Sequence, residues 1–145
     1  MTGVLGGGCF CGAVRFEVDE VFDAGYCHCS ICQRFSASLL VVWANTPASA
    51  FRITAGTPIG FASSDHWVRY FCPTCGCHLF GRHPAPPADG SDLVCFGFLS
   101  LDDPEVVRFK VHMWCGSRLS YFDTKDDLPR FIDGKLPHPS KRGLS

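Results

Sequence analysis

The cysteines are the residues of this sequence whose types and spacing can do chemistry. Ten cysteines occur in 145 residues, and eight of them fall in three short groups. The groups are a Cys-x-Cys pair at 9 and 11, a Cys-x-Cys-x-x-Cys triplet at 27, 29 and 32, and a Cys-x-x-Cys-x-Cys triplet at 72, 75 and 77. Thiols spaced this closely are typical of zinc ligands or of redox-active pairs.

The pair Cys72 and Cys75 is the sharpest metal-binding signal. Zinc holds four ligands tetrahedrally at zinc–sulfur distances of about 2.3 Å, so neighbouring sulfurs lie about 3.8 Å apart. Gly76 gives the turn after Cys75 the backbone freedom that this spacing needs, and glycines flank Cys9 and Cys11 in the same way. We therefore predict a structural zinc bound by Cys9, Cys11, Cys72 and Cys75. The alternative is a thioredoxin-type redox pair, which the strand-like sequence that follows disfavours.

The second site is predicted at Cys27, Cys29 and Cys32. Three ligands from one loop leave the fourth zinc position free, and a free position distinguishes catalytic from structural zinc. His28 lies between two of these ligands and is predicted to point away from the metal. The alternative is closure of the site by a fourth thiolate, supplied by Cys77, Cys95 or Cys115.

Three thiolates also favour a particular chemistry. A zinc ion with three thiolates has a formal charge of −1 and polarises water poorly, but it binds an incoming thiol as thiolate. The second site therefore suits sulfur chemistry better than hydrolysis.

Composition restricts the remaining possibilities. The formal net charge of −1 lacks the basic excess of a nucleic-acid-binding protein. No apolar run is long enough for a membrane span, and the first residues do not resemble a secretory signal. Clustered cysteines without an export signal indicate the reducing cytoplasm, where they bind metal more often than they form disulfides.

Short alternating segments predict a mainly β fold with little helix. Val14, Phe16 and Val18 alternate with charged residues, and residues 38–44, 51–54, 66–71, 93–99 and 106–112 also have strand character. We expect antiparallel pairing because short turns join these segments. Single helical turns are predicted after Cys29 and over residues 126–131. We predict one domain over residues 1–136 and a flexible tail over 137–145.

Three ordered motifs resemble the GFA family, the glutathione-dependent formaldehyde-activating enzymes, a family that includes centromere protein V. The motifs are Gly-Cys-Phe-Cys-Gly at 8–12, Tyr-Cys-His-Cys-x-x-Cys-x-Arg at 26–34 and Phe-Cys-x-x-Cys-Gly at 71–76. The resemblance extends from Gly7 to about Phe131. It implies an Mss4-like fold of twisted antiparallel sheets around zinc, with two zinc ions per chain. It places the structural zinc on Cys9, Cys11, Cys72 and Cys75 and the catalytic zinc on Cys27, Cys29 and Cys32.

The resemblance also implies an activity. It is carbon–sulfur lyase chemistry, the reversible condensation of glutathione with formaldehyde, and Arg34 is our candidate for binding the carboxylates of the thiol. His112 and Arg118 are further candidates, although we expect both at the surface or at a strand edge. The sequence departs from the family at Cys77 and at Tyr121. A non-catalytic zinc module that binds a protein partner through Trp114 and Tyr121 is the alternative function.

Overall fold

The computed structural model describes residues 3–134, and these form two compact units. The first unit contains residues 3–22 and 44–107, and the second contains residues 23–43 and 108–134. The mainly β architecture predicted from the sequence is confirmed, with one short α-helix in the described range. The proposed tail at 137–145 lies outside the described residues, and the single domain over 1–136 stays a prediction.

Antiparallel pairing dominates the first unit. One sheet has the order β1 (Leu5–Gly8), β2 (Arg15–Val18) and β5 (Phe51–Ala55). A second antiparallel series pairs β4 (Val41–Pro47), through its residues 44–47, with β9 (Leu93–Phe96). The series continues with three consecutive strands: β8 (His78–Arg82), β7 (Trp67–Phe71) and β6 (Ile59–Ser64).

A cluster of aromatic rings fills the first unit. Phe16 is 1% exposed, and its ring centroid lies 5.2 Å from that of Phe51. Phe51 in turn packs 4.8 Å from Phe80. Burial of one such side chain contributes about 1.5 to 3 kcal/mol to folding. This core supports the strands that lead into Cys9 and into Cys72.

Strand β1 was not predicted because three of its four residues are glycine. The structure explains this composition: a Cβ atom built on Gly7 would lie 2.5 Å from the ring of Phe16. The Phe16 ring therefore needs a strand without side chains beside it. Glycine is depleted in strands on propensity alone. The close packing of the Phe16 ring explains why a glycine-rich segment nevertheless forms a strand here.

The second unit is built around a parallel pair of strands. β3 (Asp23–Cys27) pairs with β10 (Val111–Met113), and Tyr26 lies opposite His112. The expectation of antiparallel pairing is wrong for these strands, because a long connection rather than a short turn joins them. The strands approach closely at Gly25, where a Cβ atom would lie 2.3 Å from the carbonyl oxygen of Val111.

Helix α1 (Ser30–Ser36) confirms the helical turn predicted after Cys29. The helical turn predicted at 126–131 is wrong: the N–H of Leu128 donates to the Asp126 side chain, and the backbone of His112 exchanges hydrogen bonds with Pro129 and Phe131. Pro129 disfavours helical geometry at the residue before it, Leu128. Within residues 3–134 no helix combines the length and the apolar character needed to cross a bilayer.

Candidate metal centres

The structure brings Cys9, Cys11, Cys72 and Cys75 together as one group. Their sulfur atoms all lie within 4.8 Å of one another. The Sγ atom of Cys11 lies 3.6 Å from that of Cys9 and 3.8 Å from that of Cys72. These separations match the edge of about 3.8 Å expected for four thiolates around zinc. The donor set therefore fits a tetrahedral zinc ion, and its role as a structural site stays a prediction.

Two tight turns position these sulfurs. In the first turn, the backbone N–H of Cys9 donates to Val14, and the N–H of Val14 donates to the Cys9 Sγ at 3.2 Å. In the second turn, the N–H of Gly76 donates to the Cys72 carbonyl oxygen at 2.9 Å, with Gly76 at a φ of 74°. The second turn also directs the N–H of Thr74 at the Cys72 Sγ at 3.4 Å. Each turn therefore supplies a main-chain donor to a sulfur, which favours the ionised form that zinc requires.

The pKa values of Cys9 and Cys11 in this group are shifted in opposite directions. Burial opposes ionisation of Cys9, but the Val14 N–H and the neighbouring thiols outweigh it and lower the pKa of Cys9 to about 6. Beside it, the N–H at Ala13 favours ionised Cys11, whereas burial and the nearby sulfurs dominate and raise the pKa of Cys11 to about 11. Crowded sulfurs without a cation ionise one after another, because each thiolate disfavours the next.

The second group consists of Cys27, Cys29 and Cys32, whose sulfurs also lie within 4.8 Å of one another. Cys27 ends β3, and Cys29 is the residue that caps the N-terminus of α1. The Cys29 Sγ accepts a hydrogen bond from the N–H of Cys32 at 3.1 Å. The thiols of Cys27 and Cys32, with this N–H, lower the pKa of Cys29 to about 2, while the same thiol contacts raise that of Cys27.

No fourth ligand completes this second group within residues 3–134. The described histidine, cysteine, aspartate and glutamate side chains add no member to the trio. Cys77, Cys95 and Cys115, the candidates for closing the site, join neither group. The trio therefore fits a zinc ion bound by three thiolates, with one coordination position open to a further ligand.

Arg34 lies in the last turn of α1, where its side chain is exposed. Two positions along a helix correspond to a rotation of roughly 200°, so Arg34 leaves the helix on a different face from Cys32. No residue of α1 is buried. Arg34 is thus close in sequence to the second group, and its role in binding a substrate stays a prediction.

A buried chain of side chains beside the second group was not anticipated. The Nε2 of His28 lies 2.9 Å from the Nδ1 of His112. The Nε2 of His112 lies 3.1 Å from both carboxylate oxygens of Asp126. Both histidines have 0% relative exposure. The expectation that His112 lies at the surface is wrong, whereas its position on an edge strand is confirmed, since β10 pairs with β3 at the end of the sheet. Pairing opposite Tyr26 and backbone hydrogen bonds to Pro129 and Phe131 enclose His112 inside the second unit.

Aromatic stacking fixes the rings of this chain. The Tyr26 ring lies 4.0 Å from Phe109 on one side and 4.4 Å from His112 on the other. The His112 and His28 rings follow at 5.2 Å with an interplanar angle of 20°. Burial, and then the neighbouring His112, lowers the pKa of His28. The sequence signal for this arrangement, one histidine at the end of a predicted strand and another between two cysteines, is too weak to find it without the pairing register.

Comparison with known proteins now places the chain in a family. The family model described as glutathione-dependent formaldehyde-activating enzyme (GFA) matches residues 4–117. The chain belongs to the GFA family, and its β architecture with two cysteine groups is the Mss4-like fold of that family.

Two individual proteins are similar to this chain. A Penicillium rubens protein named "Putative glutathione-dependent formaldehyde-activating enzyme" is 34% identical over 89 residues, which cover 56% of this chain and 47% of that protein. The chain thus spans about half the length of this curated relative. A crystal structure of a Rhodobacter sphaeroides protein has a TM-score of 0.49 and 22% identity, and the match covers 86% of this chain and 98% of that one.

Proposed function

We propose that the protein is a zinc-dependent carbon–sulfur lyase that acts on the adduct of glutathione, or another small thiol, with formaldehyde or a related carbonyl. The observation that carries the proposal is the trio Cys27, Cys29 and Cys32, which no fourth ligand completes within residues 3–134. Membership of the GFA family supports this choice of substrates. Ten cysteines, none of them in a disulfide within the described range, suit the reducing conditions of a cytoplasm.

The two cysteine groups have different roles in this proposal. Cys9, Cys11, Cys72 and Cys75 would hold a structural zinc ion, and Cys27, Cys29 and Cys32 would hold the second one. A zinc ion held there would supply Lewis-acid chemistry that stabilises a thiolate and a template that orients it. The trio keeps its sulfurs together through the end of β3 and the Cys29 cap of α1.

The reaction itself is a reversible addition. The thiol gives up its proton and its sulfur attacks the carbonyl carbon; a carbon–sulfur bond forms as the carbon–oxygen π bond breaks, and the oxygen takes up a proton to give the hemithioacetal. In reverse, the hydroxyl loses its proton, the carbon–sulfur bond breaks, and thiol and carbonyl separate. Glutathione carries carboxylates, and we assign Arg34 to bind one of them, since its exposed guanidinium lies two residues after Cys32.

The activity is tested by exchange spectroscopy. Zinc-loaded protein is added to glutathione and ¹³C-formaldehyde at equilibrium, and magnetisation exchange between free and thiol-bound carbon is measured. We expect exchange faster than the background, and a return to background in Cys29→Ser. Cys95→Ser is the matched control, since Cys95 joins neither sulfur group. Background exchange with the wild-type protein, under conditions in which the trio holds zinc, would refute the named activity.

A second candidate is a non-catalytic zinc module that binds a protein partner. It is favoured by the exposure of large apolar side chains in the second unit: Trp114 is 40% exposed, and Tyr121 and Ile132 are each 80% exposed. Sulfur coordination numbers measured by X-ray absorption separate the two functions. Three sulfurs and one lighter atom at the second zinc support the enzyme, whereas four sulfurs at both zinc ions support the module.

A further inference from the structure

His28, the residue between the proposed ligands Cys27 and Cys29, makes hydrogen bonds through both its backbone and its ring. The N–H of His28 donates to the carbonyl oxygen of Met113 at 3.0 Å, and its carbonyl oxygen accepts from the Gln33 side chain at 3.0 Å. Its ring is nearly parallel to that of His112, with the two centroids 5.2 Å apart, and is hydrogen-bonded to it. A residue fixed at its backbone and at its ring also fixes the backbone of its two neighbours, which here are Cys27 and Cys29.

The hydrogen-bond chain has one direction, and Asp126 sets it. The Asp126 carboxylate also accepts from the N–H of Leu128 at 3.0 Å, and one of its oxygens lies 3.5 Å from the guanidinium of Arg130. Burial opposes ionisation of Asp126, but hydrogen bonds from the Thr124 hydroxyl, the Leu128 N–H and the His112 ring outweigh it and lower its pKa to about 2, so the carboxylate is ionised and acts only as an acceptor. The Nε2 of His112 must therefore carry the hydrogen that faces it.

The rest of the chain follows from the two nitrogens of a neutral imidazole. If the Nε2 of His112 is the donor, its Nδ1 is the acceptor. The Nε2 of His28, 2.9 Å away, must then donate to it. The remaining ring nitrogen, the Nδ1 of His28, carries no hydrogen, which agrees with its lack of a partner within residues 3–134. Each buried N–H of the chain thus has an acceptor.

We propose that His112 and Asp126 are positioning residues for the second cysteine group: they hold the His28 ring in one tautomer and one orientation, and so preset the two sulfurs that flank it. Side chains that orient the ligands of a metal site usually contribute ten- to hundred-fold to metal affinity. Here the effect passes through a residue that is not itself a member of the trio. The inference rests on the proposed function only in that the trio must bind a metal.

A pair of substitutions at His112 separates hydrogen bonding from volume. In His112→Asn, the amide oxygen replaces Nδ1 and still accepts from His28, while the bond to Asp126 is lost. In His112→Gln, the amide nitrogen replaces Nε2 and still donates to Asp126, while the acceptor for His28 is lost. Gln is closer to histidine in size, so a packing role alone predicts that Gln is tolerated better, whereas our proposal predicts that Asn is.

The experiment measures metal affinity at both cysteine groups of the full-length protein. Cadmium-113 is titrated against a competing chelator, and ¹¹³Cd NMR distinguishes three-thiolate from four-thiolate sites. We expect His112→Gln to weaken the trio by about ten- to hundred-fold, His112→Asn to weaken it less, and the four-cysteine group to be unchanged in both. The four-cysteine group serves as an internal control, because general destabilisation would weaken both groups.

A second measurement covers the case in which His112 variants do not fold. The ¹⁵N shifts of the imidazoles report the tautomer, and we expect Nε2–H at both histidines in the wild type and a mixture of tautomers in Asp126→Asn. Asp123→Asn is the matched control, since Asp123 also pairs with Arg130 but is not part of the hydrogen-bond chain. It should leave the tautomers and both affinities unchanged.

The outcomes separate this inference from the proposed function. A wild-type trio that takes up no metal overturns both. A wild-type trio that binds metal, with equal affinity in His112→Gln or with Gln better tolerated than Asn, overturns only the positioning role. An Nδ1–H tautomer at His28 in the wild type overturns it as well.

Discussion

The two cysteine groups are similar in ligand type and differ in how the chain supports them. The four-cysteine group lies where β1 and β7 end, in the unit whose core is a cluster of phenylalanines. The trio lies between β3 and a helix that buries none of its own residues. Its support is a polar chain of two imidazoles and a carboxylate. The comparison teaches that apolar packing accompanies the closed set of ligands, and directional hydrogen bonds accompany the open one.

The largest effect is expected when one sulfur is removed from each group. Cys72→Ser should unfold the first unit, because structural zinc contributes on the order of 10 kcal/mol. Cys29→Ser should remove one metal ion and the activity with much smaller loss of stability. Thermal unfolding and zinc content per chain measure both effects. Equal destabilisation by the two substitutions would contradict the division into structural and catalytic sites.

A smaller difference is expected in acid. Burial, and then the charge of Arg69, lowers the pKa of His78 in the first unit to about 4, against an ordinary value of 6.5. The neutral form is thus favoured on folding, and its contribution to stability is complete above pH 6.5 and is lost as the pH falls through 4. The free energy of unfolding of the wild type should fall relative to that of His78→Gln by about 2 to 3 kcal/mol over this range.

The second unit should behave differently over the same pH range. The pKa of Asp126 is lowered to about 2, so its contribution is complete above about pH 4 and is lost only below it. Asp126→Asn should therefore run parallel to the wild type from pH 6.5 to pH 4 and converge with it only at lower pH. Urea unfolding across this pH range measures the free energy of unfolding of both variants. If His78→Gln leaves the dependence of that free energy on pH unchanged, the acid sensitivity does not come from His78.

The smallest effect is expected at the surface. Arg34→Ala should raise KM for glutathione by about ten-fold, the loss of one charge-assisted hydrogen bond, with kcat and stability unchanged. Arg52→Ala is the matched control: Arg52 forms ion pairs with Glu17 and Asp19 on the first unit, and exposed pairs contribute at most about 1 kcal/mol. An unchanged KM in Arg34→Ala would remove Arg34 from the substrate site.

Much of this site was predictable because ligand spacing is a local property. A Cys-x-x-Cys turn followed by Gly76 places two sulfurs near zinc geometry whatever the rest of the fold does. The alternation at Val14, Phe16 and Val18 likewise marks a half-buried strand, which the structure places over Arg15–Val18. These predictions depend on residues close together in the chain.

The features that were missed depend on residues far apart. The strand character predicted over 106–112 appears only in β10, and the parallel pairing of β10 with β3, which no local pattern indicates, joins His112 to Tyr26. The burial of His112 follows from that pairing and from the hydrogen bonds of its backbone to Pro129 and Phe131. Residues 126–131 show the reverse case, since the effect of Pro129 on Leu128 is local and opposes the apparent helical period.

The hydrogen bond between His28 and His112 spans 84 positions, and this has a consequence for biosynthesis. A ribosome delivers all three thiols of the trio by residue 32, yet the carboxylate that directs their frame arrives only at residue 126. For most of translation these three sulfurs therefore lie on a loop that His112 and Asp126 do not yet hold in place. During that time a chaperone, a non-cognate metal ion or an oxidant can reach them first.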